Sequence, residues 1–410
     1  MRRRPLGAAA IAVILTAASA VAAAGSGPSS PAAPAPAAGP AARAPAKSVR
    51  ARDLGIPFDG TPGPLNAITD VAGIEVGHST IIRDDKGRDG AKTAVRTGVT
   101  AIYPRGAASD DLVFAGWAPL NGNGELTGTT WVKESGFLEG PVMFTNTHSV
   151  GVVHDAVIEW RVRSGKADAS GYYWSLPVVG ETWDGWLNDT NGFHVKRENV
   201  FEALSTAAGG AVKEGSVGGG TGNVCYEFKG GIGTSSRRLP AAAGGYTVGV
   251  IVQCNCGLRP QLTIAGVPVG REITGGAIRQ DEYGSILILI GTDAPLLPHQ
   301  LERLARRAPM GLARTGSVSM NGSGDLILAF STANPHAAAP EWVASLKMLP
   351  NDRMNRLFEA TVHATEEAIV NALVAGETMS GIDNRTVLGM PEGRVVEILR
   401  KYNRIPAGPP

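Results

Sequence analysis

A serine at the start of an apolar run is the residue of this chain best suited to act as a nucleophile. Gly284 and Ser285 lead directly into the consecutive apolar residues Ile286–Ile290. Such a run, bounded by turn residues, predicts a strand that is buried on both faces. If the bond between Gly284 and Ser285 were cut, Ser285 would carry a free α-amine beside its hydroxyl, and that amine is an available general base. Taken locally, the pattern favours the simpler interpretation, a glycine that ends a turn and a serine that begins a strand, because Gly-Ser before a strand is common.

Further polar residues lie at the ends of predicted strands. Asn255 ends the strand predicted over Tyr246–Cys256, where its amide could donate a hydrogen bond to an oxyanion or simply cap the strand. Ser323 and Asp325 are two residues apart at the start of another strand, so in extended conformation both side chains point to one side. Together they could relay a proton or hold a charged amine. The alternative is a turn serine and a strand-end carboxylate that face solvent.

A third group of candidates lies in the stretch Glu181–Asp189, where acidic, amide and indole groups follow one another. Glu181 and Trp183 are its leading members. A carboxylate beside aromatic surface suits a pocket that recognises a cation next to apolar bulk. An exposed loop with aromatic anchors is the alternative.

These residues need elements that hold them in place, and the apolar pattern predicts both strands and helices. Short apolar runs bounded by turn residues predict strands over Gly73–His78, Gly98–Tyr103 and Asp325–Thr332, in addition to the two strands named above. Helical spacing of apolar residues predicts helices near 152–162, 197–208, 298–308 and 355–375.

Two common site types are not supported by the sequence. The glycine-rich tract Gly215–Gly233 has neither the Walker spacing nor a complete GxGxxG, so we reject nucleotide binding and expect tight turns around a buried hairpin. Cys225, Cys254 and Cys256 allow at most one disulfide within a chain, and no cysteine–histidine grouping has zinc-site spacing. Since Cys254 and Cys256 would share a face of one strand, they are poorly placed to bridge each other. We expect core packing there, and neither a metal nor another cofactor.

The composition is that of a soluble globular protein with a substantial core, in one large domain or two. The chain has 410 residues, 43% of them hydrophobic and 18% charged, with a formal net charge of +1. A charge balance near zero gives no electrostatic reason to expect nucleic acid or an anionic membrane as a partner.

The N-terminus predicts export. A basic start, Met1–Pro5, is followed by an apolar segment that ends in small residues near Ala24. This pattern is typical of a signal peptide over residues 1–24, and a Pro/Ala-rich disordered linker is expected over 25–50. We therefore expect a secreted or periplasmic protein with no stable membrane insertion after signal removal; the arginines leave both the general and the twin-arginine route open. An uncleaved anchor is the alternative, although the segment is short for that role.

Several motifs in a fixed order resemble one known family, the self-processing serine aminopeptidases of the L-aminopeptidase/D-amidase-esterase DmpA and the β-peptidyl aminopeptidase BapA. Together they span roughly residues 52–390, and the ordered set is more specific than any one motif. The motifs are PGPLNAITD (62–70), NGNGELTG (121–128), TNTHSVG (145–151), KGGIGTSSR (229–237), GSILILIGTDAPLLPH (284–299) and GSGDLILAFST (322–332).

The resemblance implies an α/β fold, an α/β/β/α four-layer sandwich similar to the N-terminal-nucleophile hydrolases but with different connectivity. It implies one inactive chain that cuts itself between Gly284 and Ser285. An α chain, 51–284, and a β chain, 285–410, would stay associated as one domain. Such processed units are usually assembled as a homotetramer.

The resemblance also implies roles for individual residues. Ser285 would be the nucleophile, and Ser323 and Asp325 would complete a proton network with the freed amine. Asn255 would stabilise the oxyanion, and Glu181 would pair with the terminal ammonium of the substrate. The chain departs from the family at Asp325, where the β-peptide branch has glutamate. It departs again at Trp183, where the D-amidase branch is expected to have a tyrosine that assists the oxyanion; indole can only donate, and from another place.

The function these features predict is an exported aminopeptidase that releases N-terminal residues from short peptides, amides or esters, including β- or D-amino acids, through an acyl-enzyme. An amide hydrolase or acyltransferase of the same superfamily is a second possibility, although its members generally use threonine at the cleavage site. The rival from another class is an exported binding protein that keeps the fold and is not processed.

Overall fold

The computed structural model describes residues 49–86, 90, 92–164, 173–278, 284–339 and 342–406. The predicted signal peptide (1–24) and most of the predicted linker (25–50) lie outside the described residues. Contacts with the folded core begin at Arg50, whose Nε donates to Glu214 Oε2 at 2.7 Å and whose Nη2 donates to the carbonyl of Thr234 at 2.6 Å. Among the described residues, no helix is both long enough and apolar enough to cross a membrane.

The described chain contains both strands and helices, with several runs of consecutive strands. The strands are β1 (Glu75–Lys86), β2 (Lys92–Tyr103), β3 (Val113–Gly122), β4 (Phe137–Leu138), β5 (Val142–Asn146), β6 (Val178–Thr182), β7 (Val224–Cys225), β8 (Phe228–Lys229), β9 (Gly231–Arg238), β10 (Thr247–Asn255), β11 (Ser285–Thr292), β12 (Gly324–Ser331), β13 (Met379–Ser380) and β14 (Thr386–Val387). The helices are α1 (Thr129–Ser135), α2 (Val150–Arg163), α3 (Arg197–Ser205), α4 (Val269–Glu272), α5 (Pro298–Ala305), α6 (Ala308–Arg314), α7 (Asn355–Val374) and α8 (Glu392–Lys401).

Two sheets form the centre of the molecule. A four-stranded sheet has the order β1-β2-β5-β6, and a six-stranded sheet has the order β4-β3-β12-β11-β10-β9. Apolar side chains fill the space between the sheets, as Phe144 of β5 and Leu287 of β11 do. Helices α2 and α3 cover the outer face of the four-stranded sheet, and α5, α6 and α7 cover the outer face of the six-stranded sheet. The layers are therefore α/β/β/α, as predicted.

Strand β11 lies in the middle of the six-stranded sheet, and all of its residues are buried. It pairs antiparallel with β10, so that Ser285 lies opposite Asn255. It pairs in parallel with β12, so that Ser285 lies beside Gly324. The prediction of a strand buried on both faces is confirmed, because one face of β11 contacts the other sheet and the opposite face contacts the helices.

Two other sequence predictions concern elements near the site. The glycine-rich tract does form a tight turn, Gly218–Gly220, followed by the β7–β8 hairpin. The alternative of an exposed loop at Glu181 is wrong. This residue lies inside β6, which pairs with β5 in parallel, and it is only 3% exposed. Pairing with β5 carries the strand beyond the apolar residues Val178 and Val179 to Glu181 and Thr182.

Candidate active site

Ser285 is held at the first position of β11 with 6% of its surface exposed. Its Oγ accepts a hydrogen bond from the backbone N–H of Gly324 at 3.1 Å. A Cβ at residue 324 would lie 2.2 Å from the carbonyl oxygen of Asn123, so only glycine fits there. The neighbouring strand therefore approaches the serine through backbone alone, and the hydroxyl has a fixed polar contact.

Gly284 packs against the end of β10. A Cβ at this position would lie 2.0 Å from the carbonyl oxygen of Asn255 and 2.8 Å from Cα of Cys256. The need for glycine is thus steric, because the main chain before Ser285 lies directly on its neighbouring strand. The Gly284–Ser285 bond, which is predicted to be cut, therefore packs against the end of β10.

Asn255 is completely buried, and its amide is oriented by one hydrogen bond. Its Oδ1 accepts from the backbone N–H of Val224 at 2.7 Å. Its Nδ2 is buried and finds no acceptor among the described residues. Buried amide donors normally have partners, so this N–H group has the capacity for one further hydrogen bond. Alternation along β10 and β11 directs Asn255 and Ser285 to the same face of the sheet, towards the space between the sheets.

Ser323 and Asp325 form a buried pair at the start of β12. The Oγ of Ser323 donates to Oδ1 of Asp325 at 2.6 Å, and both residues have 0% exposure. Asp325 is two residues before Ile327, which faces the helices, and in the sheet it pairs with Ile286, which faces the same way. The carboxylate is therefore directed to the opposite face of the sheet from the Ser285 hydroxyl. The predicted same-side pairing of Ser323 and Asp325 is confirmed, and the solvent-facing alternative is wrong.

Glu181 supplies a carboxylate from the other sheet. It is 3% exposed, and it accepts hydrogen bonds from the backbone N–H of Glu125 at 3.0 Å and from the hydroxyl of Thr147. Burial raises the pKa of Glu181 above its ordinary value, whereas these hydrogen bonds act in the opposite direction. A positively charged group that entered the site would bind the charged form of this side chain.

Trp183 follows Glu181 and is half-buried. A Cβ at Gly185 would lie 2.6 Å from its Nε1, so the indole folds back over its own loop. That loop is anchored by Asp184, which is completely buried and accepts hydrogen bonds from Asn146, Asn188 and Thr190 at 3.0, 3.0 and 2.8 Å. The Asp184 carboxylate thus holds in place the loop that carries the Trp183 indole.

The nucleophile candidate and the recognition candidates open onto one cavity of about 710 Å³. Ser285, Glu181 and Trp183 all line it, whereas Asn255, Ser323 and Asp325 lie behind its walls. A cavity of similar volume, about 690 Å³, lies beside Arg237 and Arg238 and contains none of the predicted site residues. The lining residues of the first cavity are Gly122, Asn123, Gly124, Glu125, Thr147, Glu181, Trp183, Ser285 and Gly322.

Sequence reasoning assigned no role to Thr147, Asp184 or Val224. Thr147 lies within one of the family motifs, and Asp184 lies within the acidic and aromatic stretch. The sequence therefore drew attention to both segments but not to these two residues. Val224 acts through its backbone N–H, which carries no sequence signal at all. The loop after β3, which carries the family motif NGNGELTG (121–128), provides several residues of the cavity wall.

The cysteines form a buried cluster beside Asn255. Cys225 and Cys254 are joined by a disulfide, and Cys256 lies with its Sγ 3.8 Å from that of Cys254. Among the described residues, these three sulfurs are the only group of potential metal ligands, all within 4.8 Å of one another. With two of them in a disulfide they are not thiolates, and thiolate is the form that binds metal. The prediction that Cys254 and Cys256 do not bridge each other is confirmed.

Comparison with known proteins identifies a family and the same architecture. Residues 66–387 match the model of peptidase family S58. The chain is 49% identical over 383 residues to the β-peptidyl aminopeptidase BapA of Sphingosinicella microcystinivorans, covering 90% of this chain and 96% of that protein.

Two solved structures agree with this assignment. A β-aminopeptidase from Burkholderia sp. superposes with a TM-score of 0.80 at 47% identity, covering 88% of this chain and 100% of that one. The L-aminopeptidase/D-Ala-esterase/amidase from Ochrobactrum anthropi, described as a prototype of the serine aminopeptidases and a new variant of the Ntn hydrolase fold, superposes with a TM-score of 0.82 at 44% identity, covering 87% and 99%. The chain therefore belongs to peptidase family S58 and is an aminopeptidase.

Proposed function

We propose that the protein is an exported aminopeptidase that activates itself by cutting the bond between Gly284 and Ser285. The observation that carries the proposal is the position of Ser285 at the start of a buried central strand, in one cavity with the buried carboxylate of Glu181. Cleavage produces an α chain, 51–284, and a β chain, 285–410. We extend the proposal to a signal peptide over 1–24 and to a tetramer of processed units.

The hydroxyl of Ser285 begins self-cleavage by attacking the carbonyl carbon of Gly284. The acyl group moves from the nitrogen of Ser285 to its oxygen, and water then hydrolyses the ester. This leaves a carboxylate on Gly284 and an amine on Ser285. The close packing of Gly284 on the end of β10 supports this route, because it fixes the scissile carbonyl relative to the attacking residue.

In each turnover the new amine takes the proton from the hydroxyl of Ser285, and the alkoxide attacks the first peptide bond of the substrate. An α-amine has an ordinary pKa of about 7.7–8.0, and burial lowers it further, so its neutral form is available near neutral pH. The shortened peptide leaves, and water hydrolyses the acyl-enzyme. Asp325 and Ser323 face away from the hydroxyl, and we assign them to the main-chain amine of Ser285, whose protonated form the carboxylate would stabilise.

Two groups would recognise the substrate at the moment of reaction. The unpartnered Nδ2 of Asn255 points to the same face as Ser285 and is available to the oxyanion that forms when the carbonyl is attacked. Glu181 binds the terminal ammonium, which restricts the enzyme to the first residue of a chain. Trp183 lines the cavity and supplies apolar surface for that residue.

The substrates are short peptides, amides or esters with a free amino terminus. Relatives named as β-peptidyl and L-amino acid or D-alanine enzymes support including β- and D-configured residues. A panel of aminoacyl p-nitroanilides that includes L-alanyl, β-alanyl and D-alanyl compounds would rank these classes by kcat/KM.

Denaturing electrophoresis with N-terminal sequencing tests the self-cleavage. Wild-type protein should give two fragments, one of which begins at Ser285, and Ser285→Ala should stay uncut and inactive. Ser285→Thr is the matched control, because it keeps a hydroxyl at the same position. A wild-type protein that remains a single chain would favour an unprocessed binding protein, and cleavage of Ser285→Ala at this junction would remove Ser285 from the processing step.

A further inference from the structure

We propose that the Cys225–Cys254 disulfide is a positioning element for the oxyanion-binding amide of Asn255. This inference rests on the function proposed above and adds residues that lie outside the cavity. The two cysteines are separated by 29 residues in sequence, and their Cα atoms lie 5.8 Å apart.

The disulfide brackets the one hydrogen bond that orients the amide. Val224 N–H donates to Asn255 Oδ1 at 2.7 Å. Cys225 is the residue after Val224, and Cys254 is the residue before Asn255. The disulfide thus joins the residue next to the hydrogen-bond donor to the residue next to the acceptor. It therefore limits how far the segment of Val224 can move from the segment of Asn255.

Asn255 depends on this contact more than most buried amides do. Its Nδ2 finds no acceptor among the described residues, so no second hydrogen bond restrains the side chain from that end. If the amide rotated by half a turn, its oxygen would take the place of the donor, and it would repel an oxyanion. Correct orientation therefore requires the Val224 N–H to stay in place.

The segment that carries Val224 is anchored at its turn, where Arg259 donates to the carbonyls of Tyr226 and Glu227, whereas the disulfide acts next to Val224 itself. Strands β7 and β8 have two residues each and form a separate two-stranded sheet. A two-stranded hairpin alone is only marginally stable. The backbone N–H of Tyr226 reaches Cys256 O at 2.6 Å, which ties the hairpin to the residue after β10. The disulfide adds the covalent link between the hairpin and β10 itself.

Close packing around the cross-link supports a positioning role. A Cβ at Gly230 would lie 2.6 Å from Cβ of Cys225 and 2.6 Å from the carbonyl oxygen of Cys254. The chain that follows the hairpin therefore lies directly against the disulfide. All three cysteines are completely buried, so this is a packed part of the core behind the site.

The test compares Cys225→Ala/Cys254→Ala with Cys256→Ala. The third cysteine lies in the same cluster but outside the disulfide, so its variant is the matched control for loss of a buried sulfur. With an aminoacyl p-nitroanilide as substrate, we expect the double variant to lose about tenfold or more in kcat with KM nearly unchanged, because small misplacement of a catalytic group is costly. Cys256→Ala should stay within about twofold of wild type.

A double-mutant cycle with Asn255→Ala separates positioning from general stability. If the disulfide acts through the amide, Asn255→Ala should lower kcat clearly less in the background without the disulfide than in the wild type. Equal losses in both backgrounds, or an unchanged kcat in the cysteine double variant, would overturn the proposal. So would peptide mapping of unreduced protein that finds all three thiols alkylated.

Two checks keep the result interpretable. Circular dichroism and electrophoresis show whether each variant is folded and processed, since removal of a disulfide also lowers stability. If the double variant does not fold, wild-type protein purified with reduced thiols replaces it, and its kcat must rise as the disulfide forms. The function itself is judged separately by wild-type activity and by Ser285→Ala; an inactive wild type would overturn both proposals, whereas an active one leaves only the role of the disulfide in question.

Discussion

The two sheets contribute different parts of the site. The six-stranded sheet carries Ser285, Asn255 and Asp325 on three adjacent strands, whose hydrogen-bonded register fixes their relative positions. The four-stranded sheet contributes Glu181 from β6, and Trp183 follows that strand. Groups proposed to perform chemistry thus share one sheet, and groups proposed to recognise the substrate belong mainly to the other.

The difference has a physical reason. Bond making requires groups to be held within a fraction of an ångström, and neighbouring strands of one sheet provide that precision. Recognition of a terminal ammonium requires a cavity, and the cavity here is lined by Ser285 from one sheet, by Glu181 from the other, and by the loop after β3. We therefore expect variants in the six-stranded sheet to change kcat, and variants in the four-stranded sheet to change KM.

The largest effect is expected at Asp325. Asp325→Asn keeps the shape but removes the charge that stabilises the protonated amine, so kcat should fall by about 10²–10⁴-fold, or the chain should remain uncut. Asp325→Glu is the control, since it keeps a carboxylate and should retain measurable activity. Steady-state kinetics after electrophoresis measures both. A processed Asp325→Asn enzyme with the kcat of wild type would contradict the role given to this sheet.

Removal of the proposed oxyanion donor should have the next largest effect. Asn255→Ala should lower kcat by about 10²–10³-fold with little change in KM, because the amide interacts mainly with charge that develops in the transition state. Asn255→Asp is a useful companion, as it keeps the size of the side chain but replaces the donor by an acceptor. A loss confined to KM in either variant would move Asn255 from chemistry to binding.

A smaller effect, on KM instead of kcat, is expected at Glu181. Glu181→Gln should raise KM by about 10–100-fold and leave kcat within a few-fold, since a hydrogen bond to a charged group contributes about 1.5–3 kcal/mol. Glu125→Gln is the matched control. It makes the same change on an exposed carboxylate at the cavity edge, where water screens the charge, so its effect should be small. If both variants behaved alike, Glu181 would have no special part in binding.

The smallest effect is a pH dependence of KM. Ammonium binding needs the charged carboxylate, and burial raises the pKa of Glu181, so this charge is lost at a higher pH than for an ordinary glutamate. KM of the wild type should therefore increase as pH falls through that raised pKa. In Glu181→Gln the KM should be flat over the same range. The proton on the Ser285 amine affects kcat as well, so the ratio of the two profiles isolates Glu181.

The sequence alone determined the parts that depend on local pattern. The apolar run after Ser285 predicted a buried strand, and the spacing of Ser323 and Asp325 predicted that their side chains would meet, because residues two apart on a strand share a face. The ordered motifs also led to the family and the four-layer fold. The strand and the pairing of Ser323 with Asp325 use neighbours in the chain, for which geometry is set by the backbone, whereas the family and its fold rest on a resemblance that spans the chain.

Only the tertiary structure decided which distant residues meet. Asn255 lies opposite Ser285 because β10 pairs with β11 in one register, and Glu181 is buried because β6 pairs with β5 under the second sheet. The partner of Cys254 and the backbone donor at Val224 were likewise set by how a short hairpin docks on β10. An apolar pattern specifies that a strand is buried but not which strand lies beside it, since many pairings bury the same surface.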